Sequence, residues 1–160
     1  MNVIDGLLVA LVVGLVALEA KRGFGRAVYD FVALLLTVRG VPLLAPHLAG
    51  VVHLAPDAPA NQAAWFGILF VVFGTILLFI GNLAYESTLI TLDTLDPFLG
   101  GVLGLGVAVI VGHAIVNSLA LAAHTNGAPP EILANSRLGM EFYHFVTYHE
   151  VIDFLSSLGK

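Results

Sequence analysis

The sequence contains no cysteine, and charged residues make up only 11% of its 160 positions. Without cysteine there are no disulfides, no thiol nucleophile and no thiolate metal site. The six Lys and Arg residues form no basic tract for nucleic acid, and the net charge is -5. Soluble domains carry about 25% charged residues, so this chain has too little polar surface to cover a globule in water. Its hydrophobic content of 59% predicts a membrane protein.

Long apolar segments predict four membrane-spanning helices, since a span needs about 20 mostly apolar residues to cross about 30 Å of hydrocarbon. The predicted spans are residues 3–20, 27–45, 63–85 and 98–123. The second contains Arg39, so whether it crosses fully stays open. The first is expected to stay in the mature protein, because residues 1–5 lack the positive charge of a signal peptide.

The predicted fold class is all-α, a polytopic membrane protein with a four-span bundle (residues 1–123), a linker and a C-terminal amphipathic helix (residues 124–160). In residues 135–158 apolar side chains recur at helical spacing between charged ones. This pattern is typical of a helix that lies on the membrane surface or docks on the bundle. The predicted connections are a basic loop, a proline-containing loop and a polar loop, at residues 21–26, 46–61 and 86–96.

Half of the positive residues, Lys21, Arg22 and Arg26, lie between the first two predicted spans. Lys and Arg near span ends favour the cytoplasmic side, so this basic loop is predicted to be cytoplasmic. With four spans, the N-terminus and the C-terminal helix are then predicted to lie on the outer side.

Arg39 is costly inside a span unless it is paired, hydrated or able to reach the headgroups. Asp5 lies 17 positions before Arg22 and Arg39 lies 17 after it, so an antiparallel hairpin would place them at one depth. We therefore predict an Asp5–Arg39 salt bridge; the alternative is that Arg39 extends to the outer headgroups. His113 and Asn117, one turn apart in the fourth span, could complete a polar cluster. Such a cluster is either a proton- or ligand-responsive site or simple interhelical hydrogen bonding.

Small residues recur every four positions on one face of the fourth span, at Gly100, Gly104, Ala108 and Gly112. Such a face lets another helix approach closely, within the bundle or between copies of the chain. The sequence predicts no metal site, cofactor or enzymatic activity. Glu141 and His144 match the Glu-x-x-His motif, which a di-metal carboxylate site needs twice, and the sequence contains no second copy. No serine lies in a pattern typical of a catalytic triad.

Three sequence blocks together resemble the colicin V production protein family, also described as CvpA-like membrane proteins. One opens the first span, one joins the first two spans, and one opens the fourth. They read Asn2-Val3-Ile4-Asp5, Arg22-Gly23-Phe24-x-Arg26 and Asp96-x-x-Leu99-Gly100-x-x-x-Gly104. The resemblance extends into the polar tail with Ser136 and Leu138.

The resemblance implies a multi-pass protein of the bacterial cytoplasmic (inner) membrane that supports colicin V export or envelope maintenance and has no defined enzymatic activity. A related four-span region anchors periplasmic serine proteases, which agrees with an outer C-terminus. The expected partners are the lipid bilayer and further membrane proteins, including other copies of the chain, with no nucleic acid and no known small-molecule substrate. The alternatives are a small oligomeric channel or transporter, or an accessory subunit of a larger membrane complex.

Overall fold

The structure is a computed structural model that describes residues 2–88, 93–123 and 130–145. Its elements are α1 (Val3–Arg22), α2 (Phe24–Val51), α3 (Ala58–Thr88), a short 3-10 helix (Asp93–Leu95), α4 (Asp96–Ala122), α5 (Glu131–Ala134) and α6 (Arg137–His144). The helices α1 to α4 are long and apolar enough to cross a membrane. This confirms the predicted all-α class with four spans.

The helix α2 is longer than predicted because it continues through Pro42 and Pro46 to Val51. Proline removes a backbone donor, but helices embedded in a membrane tolerate it when neighbouring groups satisfy the freed carbonyls. The next helix begins at Ala58, so the loop predicted at residues 46–61 is wrong at both ends and covers only residues 52–57. The buried Asn61 amide ties this connection together by donating to Ala49 O at 2.8 Å and accepting from Leu54 N at 2.7 Å.

The predicted basic loop at residues 21–26 is also wrong, because Gly23 alone separates α1 from α2. Lys21 and Arg22 lie in the last turn of α1, and Arg26 lies in the first turn of α2. Gly23 has a φ of 86°, a conformation that glycine adopts without steric cost. One glycine therefore makes the whole turn between two spans.

The central helix is α4, which packs against α1 and α2, while α2 also packs against α3. The helix α1 meets α4 far more extensively than it meets α2, although α1 and α2 are joined by a one-residue turn. Most of the outward surface of the spans is apolar. Leu7, Val71 and Phe79 are 66%, 66% and 63% exposed, as suits side chains that face lipid tails.

The C-terminal segment folds back onto the bundle. Leu133 of α5 and Phe142 of α6 are buried in one apolar cluster with Leu8 of α1 and Val116 of α4. The helix α6 ends at His144, because Phe145 adopts a left-handed conformation with a φ of 51°. The continuous helix predicted over residues 135–158 is therefore wrong at this point, and the part of it beyond residue 145 lies outside the described residues.

Candidate functional site

The turn between α1 and α2 carries a cluster of charged side chains around two buried acids, which we call the turn junction and define as Glu19, Arg22, Arg26, Asp30 and Asp96. The Arg22 Nη1 atom donates to Glu19 Oε1 at 3.0 Å and to Asp30 Oδ2 at 2.7 Å. Glu19 is 1% exposed and Asp30 is 3% exposed, whereas one third of the Arg22 side chain remains accessible. Charges this deeply buried in a spanning helix are expensive unless paired, and in membranes they mark functional positions by default.

Sequence reasoning missed Glu19 and Asp30. Neither acid is among the residues singled out from the sequence. The available signal was an acidic residue within the apolar stretch of each of the first two spans, on either side of Arg22. A hairpin turn brings such residues to one depth, so the arginine between them is their natural partner.

Asp96 connects α4 to this turn. Its Oδ1 atom accepts from the backbone N–H of Phe24, the first residue of α2, at 3.2 Å. A Cβ added to Gly23 would collide with Asp96 Oδ2, so the absence of a side chain there lets the carboxylate approach. Leu95 occupies the N-cap of α4, and the Asp96 carboxylate instead lies at the N-terminus of α2, where a negative charge is favourable.

The small-residue face of α4 lies inward along its whole length. A Cβ on Gly100 would meet Glu19 O at 2.6 Å, and one on Gly104 would meet Val16 Cα at 2.9 Å. Ala108 is fully buried. A Cβ on Gly112 would meet the Phe142 ring at 2.8 Å. The face is thus used within the chain, by α1 at one end and by α6 at the other.

The other end of α1 carries a second polar site, which we call the tail junction and define as Asp5, His113, Ser136, Leu138 and Phe142. Asp5 Oδ1 accepts from Ser136 Oγ at 2.7 Å and from the Leu138 N–H at 3.1 Å. Ser136 Oγ also accepts from Gly139 N at 2.8 Å as the N-cap of α6. A carboxylate at a helix N-terminus is stabilised by the helix dipole, so Asp5 holds the start of α6 against α1.

His113 holds the end of α6. Its Nδ1 atom lies 2.7 Å from Phe142 O, and since a carbonyl only accepts, Nδ1 carries the proton. The imidazole stacks on Phe145 with ring centroids 4.7 Å apart. Asn117 donates to His113 O at 2.9 Å within α4. Asp5 and His113 therefore both contact the C-terminal helix, one at each end of it.

The structure corrects the predicted Asp5–Arg39 salt bridge. Both residues lie in the described part of the chain, and they form no ion pair with each other. Asp5 is bonded to the tail instead, and Arg39 is exposed on α2. The prediction was wrong because it assumed that α1 and α2 lie side by side, whereas α4 is the main neighbour of α1. The four-residue polar cluster is reduced to Asp5, His113 and Asn117 around α6, without Arg39.

Removing the Asp5 carboxylate is expected to release the C-terminal helix. Because the native chain has no cysteine, Leu133→Cys supplies a single thiol that is buried while the tail is docked. In the background of this substitution, Asp5→Ala should increase the rate of maleimide labelling severalfold, since Ser136 and Leu138 lose their acceptor. The exposed carboxylate Glu131 provides the control, and Glu131→Ala should leave the rate unchanged. Equal rates for Asp5→Ala and its parent would contradict this role of Asp5.

No metal centre is visible among the described residues, where no group of three or more His, Asp or Glu side chains converges. Glu141 and His144 lie on α6, and no further group of potential metal ligands converges on them in the described part of the chain. The contacts at the two junctions are ion pairs and hydrogen bonds.

Comparison with known families gives one result. A family model described as Colicin V production protein matches residues 4–145, which include both junctions. Searches of curated proteins and of solved structures find no significant match. The three sequence blocks lie at the junctions: the first meets the tail through Asp5, and the other two meet each other where Asp96 contacts Phe24.

Proposed function

The chain belongs to the colicin V production protein family, and from this premise we propose that it is a non-catalytic component of the bacterial inner membrane that supports toxin export or envelope maintenance. The observation that carries the proposal is the family match across residues 4–145 together with where its sequence blocks lie. Those blocks form packing junctions between helices within the chain. Assembly with further copies or with other membrane proteins would use the apolar outward surface of the spans.

Deleting the gene tests the proposed role in the cell. We expect the deletion strain to be more sensitive to detergent than its parent, or to export less colicin V where that toxin is made, and a plasmid copy to reverse the defect. Purification of the chain in mild detergent should then recover further copies or other membrane proteins bound to it. A deletion strain that matches its parent in both assays would contradict the proposal.

A second candidate function is a pathway for a small solute, and one cavity favours it. This cavity of about 400 Å³ lies between α2, α3, α4 and α6 and is lined in part by Gln62, Asn117, Ser118 and Tyr143. Polar side chains are rare in lipid and usually face a partner or water. Reconstituted protein that speeds solute release from vesicles, with release reduced by Asn117→Leu, would support this candidate over assembly alone.

The proposed orientation places the turn junction in the cytoplasm and the tail junction outside, because Lys21, Arg22 and Arg26 lie at the turn. Single cysteines at the exposed positions Lys21 and Asn135 report on the two sides. On intact spheroplasts an impermeant maleimide is expected to label Asn135→Cys and to spare Lys21→Cys. Permeabilised membranes, in which both should react, provide the control. The reverse pattern would show that the proposed orientation is inverted.

A further inference from the structure

We propose that the Glu19 and Asp30 carboxyl groups share one proton, which makes the turn junction a proton-binding site within the spanning bundle. This site is separate from the cavity and from the tail junction. It assigns a role to two buried acidic side chains that packing alone does not explain.

The first argument is the closeness of the two acids. A single nitrogen, Arg22 Nη1, donates to Glu19 Oε1 at 3.0 Å and to Asp30 Oδ2 at 2.7 Å, so the two carboxyl groups converge on one guanidinium. An ionised carboxylate only accepts hydrogen bonds. A hydrogen bond between Glu19 and Asp30 would therefore need a proton on one of them, and that proton would also remove the repulsion between two carboxylates.

The second argument is an unsatisfied atom. Glu19 Oε2 is buried and has no hydrogen-bond donor among the described residues, and the Glu19 side chain as a whole is almost fully inaccessible. A buried acceptor without a donor costs the full desolvation free energy of that group, and the cost rises when the group is charged. A protonated Glu19 becomes a donor, and the adjacent Asp30 is its acceptor.

The third argument is charge balance among the groups that the packed helices bring to this site. Arg22 of α1 and Arg26 of α2 are positive, while Asp30 of α2 and Asp96 of α4 are negative. Lys21 and Glu86 are exposed at this end of the bundle and can be solvated. Among the described residues Arg22 alone forms an ion pair with either acid. Ionising both carboxyl groups would therefore leave one negative charge without a paired cation in a medium of low dielectric constant. The shared proton removes that charge.

Loss of the proton has a structural consequence. Two carboxylates on one guanidinium repel each other, and the backbone of Glu19 lies directly under Gly100 of α4. Deprotonation is therefore expected to loosen the contact of α1 with α4 at the turn. The packing of α1 against α4 at this turn would then depend on pH.

Infrared spectroscopy tests the shared proton directly. Purified protein in phosphatidylcholine nanodiscs at neutral pH should show the C=O stretch of a protonated carboxyl group, and this band should be lost in Glu19→Gln. The glutamine amide can still donate to Asp30, so this variant is expected to fold. The matched control is Glu86→Gln, which replaces an exposed glutamate and should keep the band. If Glu19→Gln fails to fold, Asp30→Asn serves in its place.

Thermal unfolding gives a second measurement. The melting temperature of the wild-type protein should fall as the pH is raised above neutral, whereas Glu19→Gln should show no such fall. Absence of the carboxylic band from the wild type at neutral pH would overturn the proposal, because it would mean that both acids are ionised. A band that persists unchanged in both Glu19→Gln and Asp30→Asn would overturn it as well.

Discussion

Replacing Arg22 with methionine is expected to lower the free energy of unfolding by about 3 kcal/mol. Removing one partner of a buried ion pair costs about 3–5 kcal/mol, because the remaining charge stays buried without compensation. The lower end applies here, since a third of the Arg22 side chain is accessible to solvent. Methionine has a long flexible side chain and preserves much of the packing, so the loss reports on charge. The measurement is equilibrium unfolding in mixed micelles.

Two further variants isolate the charge effect at Arg22. Lys21→Met removes an adjacent positive charge that is exposed, and it should change stability by less than about 0.5 kcal/mol. Adding Asp30→Asn to Arg22→Met should restore most of the lost stability, since it neutralises the carboxylate bonded most closely to Arg22. An Arg22→Met variant as stable as Lys21→Met would contradict the buried ion-pair cluster.

Replacing Gly100 with alanine is expected to destabilise the bundle by about 1–3 kcal/mol, the usual cost of forcing a methyl group into a packed core. The added Cβ would meet Glu19 O at 2.6 Å and Gly23 C at 3.0 Å. Both are backbone atoms of the turn, so they cannot move aside as a side chain would. The loss should appear as a lower unfolding midpoint in mixed micelles.

The neighbouring glycine provides the matched control. A Cβ on Gly101 would meet Ala20 Cβ at 3.5 Å, an ordinary van der Waals contact. Gly101→Ala is therefore expected to be neutral, or to stabilise α4 by up to about 1 kcal/mol through helix propensity. If Gly100→Ala and Gly101→Ala had the same effect, α4 could not lie on the turn as described.

The spans could be predicted from the sequence because hydrophobicity and length decide whether a helix enters a membrane. Their ends could not, since α2 passes Pro42 and Pro46, which in a soluble protein would break the helix. Neither could the neighbours of each helix. Lipid tails are as apolar as leucine, so hydrophobicity favours no particular helix pairing in a membrane. The antiparallel hairpin of α1 and α2 was the simplest assumption, and α4 in fact packs along α1.

In the candidate site, too, some features could be predicted from the sequence and others could not. Asp5, His113 and the glycine face of α4 could be singled out because polar or very small residues are unusual within a span. Their partners could not be predicted, because Ser136 and Phe142 lie far along the chain in a segment without span character. Glu19 and Asp30 were overlooked, since residues close to the end of a span are ordinarily solvated by headgroups. Only the fold shows that α4 packs on Glu19 and that Asp30 is buried.

The central claim is that α4 lies directly on α1 at the turn junction and so joins the second and third family sequence blocks. Disulfide formation between Ala20→Cys and Gly101→Cys in native membranes tests it most directly. The two Cβ positions are 3.5 Å apart, within the range of a disulfide, and the chain has no other cysteine. Mild oxidation should give an intramolecular crosslink, whereas Gly14→Cys with Gly101→Cys should give none, since a Cβ at Gly14 has no neighbour within 4 Å. Absence of the Ala20–Gly101 crosslink, or crosslinking only between chains, would contradict the account.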